Sequence, residues 1–433
     1  MRNTRLMTLA CLPLLVLAAL SGQAFSSTVA VGSCTSLPNY ATIQQAVNGS
    51  PAGSTIQICP GTYREQVVIS EKLTLKGIAY AGKDAVVILP PTTGLVANTV
   101  DVDNPSSPIA AQILVQNTAG PVLISNLTVD GTGNKLACGP DVQGILFQSA
   151  SGTLNQVAVR NQIPNDIPSG CQVGESIYVQ TATGLSSTVT VENSSVHSYN
   201  KNGITGNDLG TTLTVTGSYV RGAGLVPIPG AAQNGIQLGF GATGKITLNT
   251  VIDNIYDPTS PWASADILLY DTLESSGIAV TTNIVGNSQI PIGLYTDTPN
   301  VGDGVSVTGN KIFGTWAYDA IDVCTNGNTV KTNTIFNSAE SGVHLDASCS
   351  SGGISTGNSN TVTGNTILES SCTGILTDPG TTGNTIAPNT YYTVPFTTTG
   401  STSKCTIPTS AQAAMRGGGI NGAKATLKFS PAR

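Results

Sequence analysis

Asn310-Lys-Ile-Phe313 is followed by Ala320-Ile321, and the pair returns as Asn333-Thr-Ile-Phe336 with Gly342-Val343, then as Asn365-Thr-Ile-Leu368 with Gly374-Ile375. Outward from this stretch the same two phrases continue. Asn precedes a short β-branched run at Asn126-Leu-Thr-Val, Asn193-Ser-Ser-Val, Asn283-Ile-Val and Asn384-Thr-Ile. A small residue precedes an aliphatic one at Gly144-Ile145, Ser176-Ile177, Gly203-Ile204, Gly235-Ile236, Asp266-Ile267 and Gly293-Leu294. Successive aliphatic positions from Ile145 to Ile375 are separated by 32, 27, 32, 31, 27, 27, 22 and 32 residues. Each period holds two or three short strands between Gly, Asn, Asp and Ser turns.

A variable period with such short strands predicts an all-β solenoid, a parallel β-helix of about ten coils. In a sandwich, neighbouring strands alternate direction, and one side-chain pattern would not recur once per circuit. Stacked coils place each strand ~4.8 Å from its counterpart and line up like residues. The repeated Asn then forms a ladder at a turn, a structural role. Composition agrees. Charged residues are 10%, against ~25% in ordinary domains, and Gly is 49 of 433 where ~7% is usual. A disordered polyelectrolyte and a helical bundle are both excluded. Length alone suggests two or three domains; the repeat favours a single solenoid over 71–395.

The segment Tyr40-Ala-Thr-Ile-Gln-Gln-Ala-Val47, with Ser54-Thr-Ile-Gln-Ile-Cys-Pro-Gly-Thr-Tyr-Arg-Glu65, Val67-Val-Ile69 and Leu73-Thr-Leu-Lys-Gly77, resembles the opening of pectin-lyase-like β-helix proteins. The resemblance implies a right-handed parallel β-helix with a short N-terminal capping helix over 40–47, a first coil within 25–70, and a polysaccharide as partner. Ile43, Ala46 and Val47 fall on one face of that helix, suited to plugging the core. The internal motifs of pectinesterases, the Asp-Pro-His-Glu of mannuronan epimerases and the Gly-His-Gly of polygalacturonases are missing.

The first residues, Met1-Arg-Asn-Thr-Arg5, lead into an apolar run from Leu6 to Leu20 and then Ser21-Gly-Gln-Ala24, the pattern of a signal peptide over 1–24. That run is short of the ~20 residues a membrane span needs. A secreted or periplasmic chain without a membrane span is expected. Eight of the nine cysteines lie beyond the leader, an even number without metal-ligand spacing, so disulfides are expected, with Cys34–Cys59 as the local pair. Two of the 18 basic residues lie in the leader, which leaves a net charge of −8. Five more (Lys404, Arg416, Lys424, Lys428 and Arg433) lie in a tail over 396–433 that has no acidic residue, so the body carries −13. Nucleic acid is a poor partner for such a body. A monomer is expected.

Strand alternation sets which residues face outward from the second run. One row reads Leu146, Tyr178, Thr205, Gln237, Leu268, Tyr295, Asp322, His344, Leu376. A second reads Gln148, Gln180, Asn207, Gly239, Tyr270, Asp297, Cys324, Asp346, Asp378, and a third holds Glu175, Asn202, Asn234 and Asp319. This places Tyr295, Asp322 and His344 on consecutive coils of the exterior, flanked by Asp297 and Asp346. These five are the candidate catalytic residues; Tyr178, Tyr270, Asp319 and Asp378 are candidate substrate contacts.

A carboxylate beside His fixes its tautomer and raises its basicity, as a general acid or base requires. Paired carboxylates suit a hydrolase; a Tyr/His/Asp set equally suits proton abstraction in a lyase or epimerase. The latter needs Ca²⁺ or a basic side chain to neutralise a uronate, so Ca²⁺ is a possible cofactor, its ligands unassigned. The basic candidates are Lys201, Arg221 and Arg160. A non-catalytic glycan-binding or surface protein is the competing reading, since solenoid faces are polar and Asp is a common turn former. His197 is read as a surface residue, and Trp262 and Trp316 as walls of a groove or core residues.

Overall fold

The computed structural model describes residues 26–400 except 80–83, 225–229, 257–261, 273–276, 299–303, 317 and 348–353. The expected leader and residues 401–433 of the expected tail lie outside these. The architecture is a parallel β-helix. A 24-stranded sheet bends into two stacks, and a 13-stranded sheet forms the remaining face. Long strands show how the bend is made. Val122–Asp130 and Gly152–Gln162 belong to both stacks: their first halves pair with each other and with Thr74–Gly77 and Ser187–Glu192, their second halves with Val86–Leu89 and Ser195–Tyr199. Ladder pairing is parallel, apart from Thr99–Val100, which lies antiparallel against Pro108–Gln116. Without that strand the smaller sheet stacks twelve rungs, two more than the period suggests.

The core is a set of aliphatic columns. Ile113, Ile145, Ile177, Ile204, Ile236, Ile267, Ile292, Ile321, Val343 and Ile375 stack in register, all fully buried. Each such side chain contributes roughly 1.5–3 kcal/mol by leaving water. The Asn ladder runs through the turn between the two stacks of the larger sheet. Asn249, Asn283, Asn310, Asn333 and Asn365 each pass a side-chain N–H to the carbonyl oxygen of the next, ending at Asn389, at 3.0–3.1 Å. The same amides also donate to backbone carbonyls, as Asn310 does to Val280 at 2.9 Å. Ser194 and Ser218 extend this column toward the N-terminus. Asn126 and Asn193 are not in it; they hold the left-handed turn, at φ 55° and 51°. Asn384 belongs to a second column with Asn328 and Asn360.

The capping helix spans Ile43–Gly49, slightly later than expected because Thr42 is its N-cap, accepting from the Gln45 N–H at 3.1 Å. The Glu65 carboxylate accepts the Ile43 and Gln44 amides at 2.8 and 3.0 Å, which satisfies donors left free at a helix start. Ile43, Ala46 and Val47 are buried against the first coil. Disulfides join Cys34 to Cys59 and Cys138 to Cys171; Cys324 and Cys372 are also disulfide-bonded. No helix among the described residues is long and apolar enough to cross a membrane.

Candidate active site

The site lies on the outward side of the smaller sheet, where strands Ile290–Tyr295, Ile321–Val323, Ser341–Leu345 and Thr373–Thr377 follow one another. Asp322 and His344 are direct register partners, as alternation predicts. Tyr295 is not next in their row. Ile292, not Leu294, continues the inward column, so Gly293 pairs with Asp322 and Tyr295 pairs with Tyr270. The sequence Ile290-Pro-Ile-Gly-Leu-Tyr295 carries an aliphatic at both 292 and 294, and a slip of two residues leaves every side chain on its own face.

Tyr295 reaches the site all the same. Its hydroxyl donates to Asp322 Oδ2. The ring lies over Gly293, where an added Cβ would meet Tyr295 Cε2 at 2.5 Å. Glycine here is an absence of side chain that the ring fills. Nothing in the small-plus-aliphatic pattern distinguishes that role from a turn.

His344 is clamped from both sides. Its Nδ1 lies 3.0 Å from Asp319 Oδ2 and its Nε2 3.2 Å from Asp378 Oδ1, while Asp322 Oδ1 and Asp346 Oδ2 each stand 3.9 Å from Nδ1. The Ser341 amide holds Asp319 at 2.9 Å, and the Ala347 amide holds Asp378 at 3.4 Å. Asp319 and Asp378, expected as substrate contacts, are thus the groups that fix the imidazole. Asp297 is elsewhere: exposed at the strand end, accepting from the Tyr270 hydroxyl. Tyr178 sits five rungs from Asp322, about 24 Å, with its hydroxyl accepting from Asn207 at 3.0 Å.

The row was expected on the open exterior, yet Asp322 is 0% and His344 5% exposed, with Tyr178, Tyr270 and Tyr295 also buried. They do not point into the coil: their neighbours Ile321, Val323, Val343 and Leu345 do. A second apolar cluster instead forms on the outward side from Leu268, Tyr270, Ile290, Tyr295 and Cys324, with Phe240 and Tyr318 packed against it.

Burial dominates the electrostatics. It pushes the Asp322 carboxyl well above the carboxylate range; the His344 charge opposes this, and the like charges of Asp346 and Asp319 add to it. Burial also raises the Tyr295 phenol, with Asp322 adding to the effect. For His344 burial acts downward, but the Asp319 charge and the hydrogen bonds to Asp319 and Asp378 outweigh it and hold the imidazolium well above its usual range. Asp322 Oδ1 has no hydrogen-bond partner.

Donor atoms of Asp319, Asp322 and His344, and of His344, Asp346 and Asp378, gather closely enough to hold a cation. The set does not fit Ca²⁺, which takes six to eight oxygens. Here an imidazole stands at the centre, each nitrogen already engaged by a carboxyl group, and its one positive charge takes the place a cation would fill.

The basic candidates are engaged elsewhere. Lys201 is fully buried four rungs away and donates to the Ala232 carbonyl at 3.0 Å; burial lowers its amine to about 7 against the pull of Glu175. Arg160 pairs with Asp130 and Asp84, and Arg221 with Asp253, in the other sheet. His197 is half-buried beside Ser198. Trp262 is 38% exposed, and Trp316 donates to Asn287 at 2.8 Å; neither is in the core clusters. Sequence reasoning missed a further buried group, in which the Gln143 amide bridges Asp141 at 2.7 Å and Glu175 at 3.0 Å.

No protein-family model matches the chain, and no curated protein is similar to it in sequence. Solved structures are similar in fold. The A-module of mannuronan C-5 epimerase AlgE4 from Azotobacter vinelandii is 14% identical at a TM-score of 0.55, over 82% of this chain and 92% of that one. A GH136 lacto-N-biosidase from Eubacterium ramulus is 8% identical at 0.51, over 87% and 67%. The Dettilon tailspike protein is 13% identical at 0.50, over 81% and 64%. All are right-handed parallel β-helix proteins, and the chain shares that fold.

Proposed function

We propose that this is an exported, monomeric enzyme that hydrolyses a neutral extracellular polysaccharide at the Asp322–His344 cluster. The observation that carries the reading is a carboxyl pushed by burial well above its ordinary range, beside an imidazole held between two further carboxyl groups at 3.0 and 3.2 Å. A carboxyl and an imidazole displaced from their ordinary ranges side by side are the pattern that marks acid–base roles. Asp322, steadied by Tyr295, is the general acid, its Oδ1 giving a proton to the leaving glycosidic oxygen, which requires the entering glycan to uncover this fully buried carboxyl. Asp346 and Asp378, the least buried of the acidic members at 8% and 7%, face the entering glycan, and a carboxylate there takes the proton of the attacking water. A neutral substrate is favoured over a polyuronate because the cluster has four carboxyl groups against one imidazole, and Lys201, Arg160 and Arg221 are committed elsewhere. The carbohydrate-active relatives in fold and the four disulfide-bonded cysteine positions in two closed pairs support an exported glycan-acting protein.

A second reading is favoured by the burial itself. In a non-catalytic glycan-binding or surface repeat protein the same cluster would be an ion network that ties coils together. A reducing-sugar screen over neutral and uronic polysaccharides, run on the wild type and His344→Ala, separates the two. An enzyme shows release on a neutral glycan that falls about 10²-fold in the variant. No release on any glycan from a folded wild-type protein leaves the binding reading.

A further inference from the structure

The two ends of the solenoid differ. At the first, the helix Ile43–Gly49 covers the core with three buried side chains. At the second, the last coil consists of Thr385–Ile386, Thr390–Tyr392 and Phe396–Thr399, each pairing with the preceding coil and with no later strand among the described residues. The inward columns lose their cover there. Val330 and Val362 are fully buried, and their successor Ile386 is only half-buried. Ile335 and Ile367 are fully buried, and their successor Tyr391 is half-buried. Thr398, the partner of Ile375, is exposed. An open strand edge beside an uncovered apolar end is a template for one more strand, and repeat arrays need a cap at each end.

The chain continues for residues 401–433, and its cysteines indicate where that segment starts. Cys324 and Cys372 are both disulfide-bonded. They lie two coils apart at opposite ends of their strands, since Val323 is in register with Leu345 and Thr377, which puts them well beyond the reach of a bond to each other. The cysteines left to them in the exported chain are Cys349 and Cys405. Cys405 is therefore the partner left to one of them, which would bring the start of that segment to the end of the solenoid. Beyond Cys405, Ala425-Thr-Leu-Lys-Phe-Ser430 alternates apolar and polar residues, the pattern of a half-buried strand. The segment is basic and the body acidic, so charge favours contact.

We infer that the open end of the last coil is a docking surface for the chain's own residues 425–430, which add as a further strand on Thr390–Tyr392 and lay Leu427 or Phe429 over Tyr391. The inference is independent of the catalytic reading. Its consequence is that a second copy finds no open edge to pair with.

Amide hydrogen exchange on the full exported chain tests it. Peptides covering 385–392 and 425–430 should both exchange slowly, and the double substitution Leu427→Asp, Phe429→Asp should speed both by at least about tenfold while leaving 321–345 unchanged. Fast exchange at 425–430 in the unsubstituted chain, or no effect of the substitutions on 385–392, overturns it. Light scattering adds a second check, because protection of 385–392 that disappears on dilution of a dimer assigns the surface to a second copy instead. Disulfide mapping gives a third: Cys405 joined to Cys372 or Cys324 supports the docking, and Cys405 joined to Cys349 overturns it.

Discussion

Tyr295 bonds Asp322 by crossing over Gly293, the residue that occupies Tyr295's expected place in the outward row. The phenol thereby reaches a carboxyl one coil onward, and a missing side chain is what opens the path. Gly293 adopts an ordinary backbone conformation, so alanine there is resisted by the ring alone.

Gly293→Ala should therefore displace the Tyr295 ring, destabilise the fold by about 1–3 kcal/mol and lower turnover. In a Tyr295→Ala background the same change should cost little. Urea denaturation of the four proteins in this cycle gives the coupling, and additive costs would contradict the contact.

The pH dependence of stability has a definite sign. Burial raises Asp322 in the folded chain above its ordinary 3.8, so stability falls as pH rises past that value until Asp322 itself ionises. His344 is raised above its ordinary 6.5, so its contribution is complete below 6.5 and is lost as pH climbs through its folded value. Asp322→Asn should flatten the first slope, and His344→Gln the second. Unfolding free energies measured across pH 4–9 for the three proteins would show whether these groups carry the slopes.

Chelation distinguishes the substrate classes. With a neutral glycan, EDTA should leave turnover unchanged, because the imidazole already occupies the centre of the carboxyl groups, at 3.0 and 3.2 Å. Activity on a polyuronate that vanishes with EDTA and returns with Ca²⁺ would contradict the proposed chemistry.

The ladder makes a prediction about the scaffold. Asn333 accepts from Asn310 and donates to Asn365 and to the Val307 carbonyl. Asn333→Ala leaves buried donors and an acceptor unpaired and should cost about 2–3 kcal/mol, read as a lower urea midpoint with unchanged slope. An exposed Asn such as Asn193 should tolerate alanine far better, apart from its left-handed turn.

The sequence by itself determined the solenoid, its stacked Ile and Val columns, the Asn310–Asn333–Asn365 ladder and the pairing of Asp322 with His344. These follow from a repeat that returns once per coil and from strand alternation, both local properties of the chain. Two things were decided only in three dimensions. The register around Tyr295 was one, because Ile292 and Leu294 satisfy the inward column equally and a two-residue slip changes no facing. The burial of the outward row was the other. Alternation says which way Asp322 and His344 point, but what surrounds them comes from other coils: the Tyr295 hydroxyl that reaches Asp322, and the Asp319 and Asp378 carboxyls on either side of His344. That cover, with the carboxylates it forces together, turns a polar surface row into a cluster whose proton affinities are shifted by desolvation and charge.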